Sequence, residues 1–347
     1  MRQHARVPIE FEAIADQLHY FHEVVHGFEY AAACVECGGT VHQNGDWPDR
    51  LRLWPRSRKT GKPLAWCRHC GWKWTPKETF KPDPALIAKL EAERQKAIAE
   101  HEAAVKRARA TVQREKKWQT YIGDLSDHPG AVAQWMDALG INDVVTAWKW
   151  FEYWQLGCDP SHTFWNMNGN EQFKSFKSPT LTVPLCDLNG KAINIKHRLL
   201  KIGEDGQKYR QEYRGTGEGI FIANRKLMNK ADWVILAEGE KKAMVAYITA
   251  DRTDLQVFGL PITPSLELLG AINGKHILYI PDPDVFEDGK KYGINRVISV
   301  FAQRDLRIVK LPDKLDDLII KEKKDAEWLL GMWRLPIWTK QKWSEYV

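Results

Sequence analysis

Three acidic words stand out in the C-terminal part of the sequence. "WVILAEGEKK" ends an apolar run in Glu238-Gly239-Glu240. "HILYIPDPDV" ends another in Asp282 and Asp284, and "LRIVKLPDKLDD" ends a third in Asp313, Asp316 and Asp317. Carboxylates brought to one place repel each other and resist ionisation unless cations neutralise them. A donor set of hard oxygens without His or Cys suits Mg²⁺ or Mn²⁺. A pair of such ions can clamp the attacking and leaving oxygens of a phosphoryl transfer. Acidic residues also favour helix N-termini, which would account for any one cluster but not readily for three at one edge.

A second constellation pairs Cys34-x-x-Cys37 with Cys67-x-x-Cys70. Each CxxC lets two thiolates converge on one ion, and two pairs complete the tetrahedron of a structural Zn²⁺. A redox reading fails for want of a thioredoxin-like context. The same stretch carries Trp47, Trp54, Trp66, Trp72 and Trp74 among Arg and Lys. Aromatics interleaved with cations suit single-stranded nucleic acid, through base stacking and phosphate neutralisation. Trp54, Arg56, Trp72 and Lys73 are the candidate contacts, and some of the five Trp are expected to pack the small module instead. Cys158 and Cys186 lie in apolar contexts and are expected in the core.

The third constellation is basic. Lys196, Arg198, Lys208, Arg210 and Arg214 cluster between residues 186 and 230, where ten Lys/Arg face five Asp/Glu. Residues 34–80 carry nine against four, and residues 231–330 carry fourteen against seventeen. Basic segments suit a polyanion, and the acidic one suits metal cations. A solvated sheet face is the plain alternative for the basic cluster.

The elements that must position these groups follow from periodicity. From Asp232 the strands "WVILA", "LQVFGL", "HILYIP" and "LRIVKL" alternate with helices beginning near Lys241, Ser265 and Gly293. That rhythm predicts a small parallel sheet covered by helices, and ligands sit beyond the carboxyl ends of such strands. Upstream, "TLTVPLCDLNGKAINIKHRLL" predicts two strands joined at Asn189-Gly190. Residues 119–160 read as helical. Residues 85–118, rich in Ala, Glu, Lys and Arg, predict a long solvated helix serving as a spacer, and residues 8–30 read as a helical lead-in. The Trp-rich end after Lys321 is expected to dock on the body of the protein.

The 347 residues, 44% hydrophobic and 28% charged, leave room for several domains. Nothing approaches a membrane span or a signal-peptide core. Six cysteines are few for a disulfide scaffold. A cytoplasmic protein with no membrane partner is expected.

A hydrophobic strand, Glu-Gly-Glu, and then Asp-Pro-Asp some 44 residues on, between Glu238 and Asp282, resembles the TOPRIM domain of primases, topoisomerases and some nucleases. The resemblance implies metal or catalytic roles for Glu238, Asp282 and Asp284. It matches Asp316 and Asp317 to the later metal-binding acidic residues. One departure is the "VFED" that precedes Gly289. Zinc ribbon, linker, basic segment with "DLNG" and "QKYR", and TOPRIM follow in the order of bacterial and phage DNA primases over most of residues 34–330. The paired cysteines look more like the phage and plasmid enzymes.

The resemblance thus implies a multidomain α/β protein with a helical segment at 1–33, a zinc ribbon at 34–80 and a helical linker at 81–118. After these come the N-terminal subdomain of an RNA-polymerase domain at 119–230, TOPRIM at 231–330 and a tail at 331–347. It implies synthesis of short RNA primers from nucleoside triphosphates on a single-stranded DNA template, with Zn²⁺ structural and Mg²⁺ or Mn²⁺ catalytic. No GxxxxGK[ST] occurs, so the replicative helicase is expected on a separate chain. A TOPRIM nuclease with a zinc-ribbon module and a non-catalytic replication adaptor are the alternatives.

Overall fold

A computed structural model describes residues 29–33, 51–55, 62–67, 71–75, 84–165, 175–200, 208–262, 264–286 and 292–337, with positions 11, 14, 18, 22–25 and 57. The chain divides into two units, 1–102 and 103–347. The first is built on an antiparallel sheet in sequence order. Its strands are β1 (His22–Val25), β2 (Glu29–Ala32), β3 (Leu51–Trp54), β4 (Leu64–Cys67) and β5 (Lys73–Trp74). The helix expected across 8–30 is therefore wrong for its second half. "HEVV" and "EYAA" pair as strands, with His22 opposite Ala31, and β2 continues the sheet into β3. Tertiary pairing overrode the local pattern. Leu51, Leu53, Ala65 and Cys67 form the interior with Phe11 and Ile14.

Helix α1 (Pro84–Glu115) crosses the division between the units. Residues 95–104 are exposed, as a spacer requires, but the last turns are not a spacer. Arg109 Nε donates to Thr216 O at 2.8 Å, and Val112 is buried with Ala192 and Ile195. Lys116, in the left-handed region at φ 47°, ends α1, and α2 (Lys117–Ser126) starts at once. Helices α3 (Pro129–Leu139) and α4 (Val144–Trp154) follow. The antiparallel sheet β6 (Gly157–Trp165), β7 (Ser175–Cys186), β8 (Ala192–Leu199) and β9 (Tyr209–Gln211) comes next. The predicted hairpin is the β7–β8 turn, with Gly190 at φ 78°.

The remaining elements run β10 (Phe221–Ile222), β11 (Trp233–Glu238), α5 (Glu240–Ala250), β12 (Leu255–Leu260), α6 (Leu266–Ala271), β13 (His276–Ile280), α7 (Tyr292–Phe301), β14 (Asp305–Ile308), α8 (Leu315–Ile320) and α9 (Ala326–Gly331). The sheet order is β10-β12-β11-β13-β14, parallel except for β10. Both faces are covered, which is why its strands read as continuous apolar runs. Ile235, Ala237, Val257 and Leu278 face a core that includes Trp135, Trp154 and Trp333. Val234, Leu236, Phe258 and Ile277 face one that includes Ile294 and Phe301. Trp333 lies edge-on to Trp233, 4.8 Å between centroids, so residues 322–337 pack on this unit, and the rest of the Trp-rich end, residues 338–347, lies outside the described residues. Cys158 and Cys186 are buried, and burial pushes both thiols up to about 11, so neither is a nucleophile. Among the described residues no helix is long and apolar enough to cross a membrane.

Candidate active site

Strand β11 lies between β12 and β13, and all three run the same way. Glu238 and the Asp282–Asp284 loop therefore leave the sheet at the same edge. Gly239 makes the turn from β11 into α5 at φ 88°, ψ 160°, a region closed to side chains. Its N–H donates to Leu260 O at 2.8 Å. The neighbouring strand yields space for this turn, since a Cβ on Gly259 would stand 2.8 Å from Gly239 O and 2.9 Å from Glu240 Cα. Two glycines on adjacent strands thus set where Glu238 points.

Glu238 is half-buried, and Oε2 accepts a long hydrogen bond of 3.4 Å from the Asp282 N–H. Burial raises its pKa above the ordinary carboxylate value; Asp282 and Asp284 add to the rise, and Lys242 opposes it. The Lys242 ammonium lies 2.5 Å from Asp282 Oδ1, without the alignment of a hydrogen bond, and donates to the Glu238 carbonyl O at 3.1 Å. One residue earlier in α5, Lys241 pairs with Asp316 Oδ2 at 2.8 Å. Burial alone would push Asp316 up; the bond and charge of Lys241, with Lys242 behind it, hold it below the usual range. Oδ1 of Asp282 and Oδ1 of Asp316 are buried without a hydrogen-bond partner. The Lys242 ammonium already compensates Asp282 Oδ1, so Asp316 Oδ1 is the oxygen that stays costly unless a cation supplies what is missing.

The structure therefore brings Glu238, Asp282 and Asp316 around the two lysines at the start of α5. Asp284 is exposed beside them and acts on Glu238 electrostatically. Asp317 instead pairs along its own helix with Lys321 at 3.0 Å. Lys241 and Lys242 were not singled out from the sequence, although their place in "EGEKK", three and four residues past the end of β11, was a usable signal.

The basic residues of β8 and β9 separate into two groups. Lys196 reaches across to α5, with Nζ 2.9 and 2.7 Å from the two Glu240 oxygens and 4.6 Å over the Tyr209 ring. Glu240 thus anchors Lys196 instead of joining the carboxylates. Arg198 pairs in register with Tyr209, and Lys208 and Arg214 are exposed. Arg210 is half-buried and donates to Tyr209 O at 3.1 Å.

In the first unit, Cys67 sits buried at the end of β4. Its N–H donates to Trp72 O at 2.8 Å, and Gly71 N–H, at φ 78°, returns to Cys67 O at 3.1 Å. Cys34, Cys37, Cys70 and Arg56 lie outside the described residues. Trp72 packs against the small core beside Trp74. Lys73 and Trp66 are exposed, and Trp54 is half-buried.

No family model matches the sequence, and no curated protein matches it. The fold is similar to solved structures at low identity. The Aquifex aeolicus primase, as zinc-binding and RNA polymerase domains, is 17% identical with a TM-score of 0.46, covering 95% of this chain and 83% of that one. A DnaG primase catalytic domain bound to ssDNA is 15% identical, TM-score 0.47, covering 68% and 82%. A DNA primase domain from Pseudomonas aeruginosa is 15% identical, TM-score 0.46, covering 65% and 77%.

Proposed function

We propose that this chain is a DNA primase: it makes short RNA primers on single-stranded DNA by metal-dependent nucleotidyl transfer. The observation that carries the reading is the gathering of Glu238, Asp282 and Asp316 around Lys241 and Lys242 at the carboxyl edge of a parallel sheet, with Asp316 Oδ1 buried and without a hydrogen-bond partner. The donor set fits hard divalent cations: it is all oxygen, its Glu is reluctant to ionise without positive charge, and Asp316 Oδ1 is buried without a hydrogen-bond partner. Glu238, Asp282, Asp284 and Asp316 would hold Mg²⁺ or Mn²⁺, with Asp317 behind them. Bound there, such ions activate a 3′-hydroxyl and stabilise the leaving pyrophosphate.

The protein's own side chains do the rest. Without ions, Lys241 and Lys242 neutralise Asp316 and Asp282 and keep the edge compact. With the carboxylates holding ions, Lys241 and Lys242 would be left to meet phosphate oxygens. Glu240 fixes Lys196 beside the same edge, and Arg198, Lys208, Arg210 and Arg214 offer charge to the template and the triphosphate. On this reading residues 231–330 are a TOPRIM domain. The first unit is a zinc ribbon held by Cys34, Cys37, Cys67 and Cys70, presenting Trp54, Arg56, Trp72 and Lys73 to single-stranded DNA.

The test is incubation of the full chain with mixed-sequence single-stranded DNA, Mg²⁺ or Mn²⁺ and labelled ribonucleotides. Short products that require template and vanish in Asp282→Ala are expected. Cutting of the template without products would replace this reading with the nuclease, and binding without either activity would replace it with the adaptor.

A further inference from the structure

Away from the sheet edge, four ligating side chains meet inside the second unit. A β-bulge in β6 between Asp159 and His162 breaks the alternation that would send residues three apart to opposite faces. The two side chains meet instead, with His162 Nδ1 2.8 Å from Asp159 Oδ2. From β8, His197 stacks on the His162 ring at 3.7 Å between centroids. Glu212, just past β9, brings Oε2 to 2.7 Å from His197 Nε2 and 3.5 Å from His162 Nδ1. His197 is fully buried and the Glu212 side chain is 7% exposed.

We infer that Asp159, His162, His197 and Glu212 form a second metal site, for a first-row transition ion of the Zn²⁺ class. Tetrahedral bonds of about 2.0–2.2 Å place ligand atoms about 3.3–3.6 Å apart; the 3.5 Å pair already has that spacing, and the 2.8 and 2.7 Å pairs would open by about 0.5–0.9 Å to admit an ion. Imidazole nitrogens with carboxylates select Zn²⁺ over Mg²⁺ or Ca²⁺. Two of the outward atoms have partners, as ligands in metal sites do. His197 Nδ1 meets Thr180 Oγ1 at 2.9 Å, and Glu212 Oε1 takes the Lys117 ammonium. The ion would fasten β6, β8 and the end of β9 together. Lys196 lies one residue from His197 on the opposite face of β8, so the same clasp steadies the strand that presents Lys196 to Glu240. Without an ion, the four groups form a hydrogen-bonded network held by shared protons.

The experiment is Co²⁺ titration of the chelator-treated full chain in excess Mg²⁺, which occupies an all-oxygen site and competes poorly for imidazole. The expected spectrum contains tetrahedral visible bands that grow without thiolate charge-transfer absorption. His162→Gln and Asp159→Asn, checked for folding by circular dichroism, should each weaken that component by at least about tenfold; Asp282→Asn should leave it intact. Zn²⁺ content by mass spectrometry should fall by one ion per chain in the first two variants. A wild-type spectrum with thiolate-type bands alone, or equal Co²⁺ uptake in wild type and both variants, would overturn the site. The wild-type titration decides even if a variant does not fold, and neither readout depends on primer synthesis.

Discussion

Gly259→Ala tests whether the backbone at the sheet edge sets the activity. The added methyl would stand 2.8 Å from Gly239 O, 2.9 Å from Glu240 Cα and 3.1 Å from Gly239 C. All three are backbone atoms, so no side chain can swing aside. Moving from 2.8 Å to an ordinary contact of 3.4 Å displaces the Glu238-Gly239-Glu240 turn by about 0.6 Å, beyond the tolerance of about 0.5 Å within which a catalytic constellation works. Overpacking of this kind costs about 1–3 kcal/mol. In a unit of this size that lowers Tm by about 2–12 °C. Misplacing Glu238 against Asp282 costs on the order of 10–100-fold in kcat. The assay is primer synthesis beside a thermal melt, with Gly270→Ala as the control. Gly270 has open space around its Cβ position on an exposed helix, so alanine there should stabilise by about 0.4–1 kcal/mol without changing activity. Wild-type melting and wild-type activity in Gly259→Ala would refute the claim that the close approach of β12 sets the turn.

Glu238→Gln should raise the stability of the metal-free chain at neutral pH, because the folded state resists ionising Glu238. With this raised pKa, stability of the metal-free wild type falls as pH rises through the folded value, and urea melts at successive pH values read that slope. Adding Mg²⁺ should stabilise wild type and not the Gln variant. Lys242→Met removes the charge opposing the rise at Glu238, so the acid limb of the primer-synthesis pH profile should move to higher pH. Asn194→Ala should destabilise by about 1–3 kcal/mol in urea. Buried Asn194 donates to Gln211, Tyr213 O and Thr216 and accepts from the Ile195 and Tyr213 N–H groups, and alanine leaves these groups unmet.

The second unit was more legible in sequence than the first, for physical reasons. A parallel sheet buried on both faces writes itself as apolar runs, and the strands predicted from "WVILA", "LQVFGL" and "HILYIP" are where the structure has them. Acidic residues after such runs share an edge because parallel strands share a direction, so the meeting of Glu238 with Asp282 was readable. The split between Asp316 and Asp317 was not. It depends on which side of α8 faces Lys241. In the first unit, four-residue strands such as "HEVV" are too short to carry a clear periodicity, and pairing with "EYAA" decided their state. The cluster of Asp159, His162, His197 and Glu212 was invisible in sequence. Its members are separated by up to 53 positions and are gathered by a bulge and by strand register.

The central claim is that the sheet-edge carboxylates hold the divalent ions that make primer synthesis possible. Mn²⁺ binding followed by electron paramagnetic resonance, with single-stranded DNA and ribonucleotides present, tests it directly when each titration is paired with primer yield. Asp282→Asn and Glu238→Gln should lose bound Mn²⁺ and primer synthesis together, by at least about tenfold each, while circular dichroism stays unchanged. Folded variants that bind Mn²⁺ as wild type does and still make primers would contradict the account.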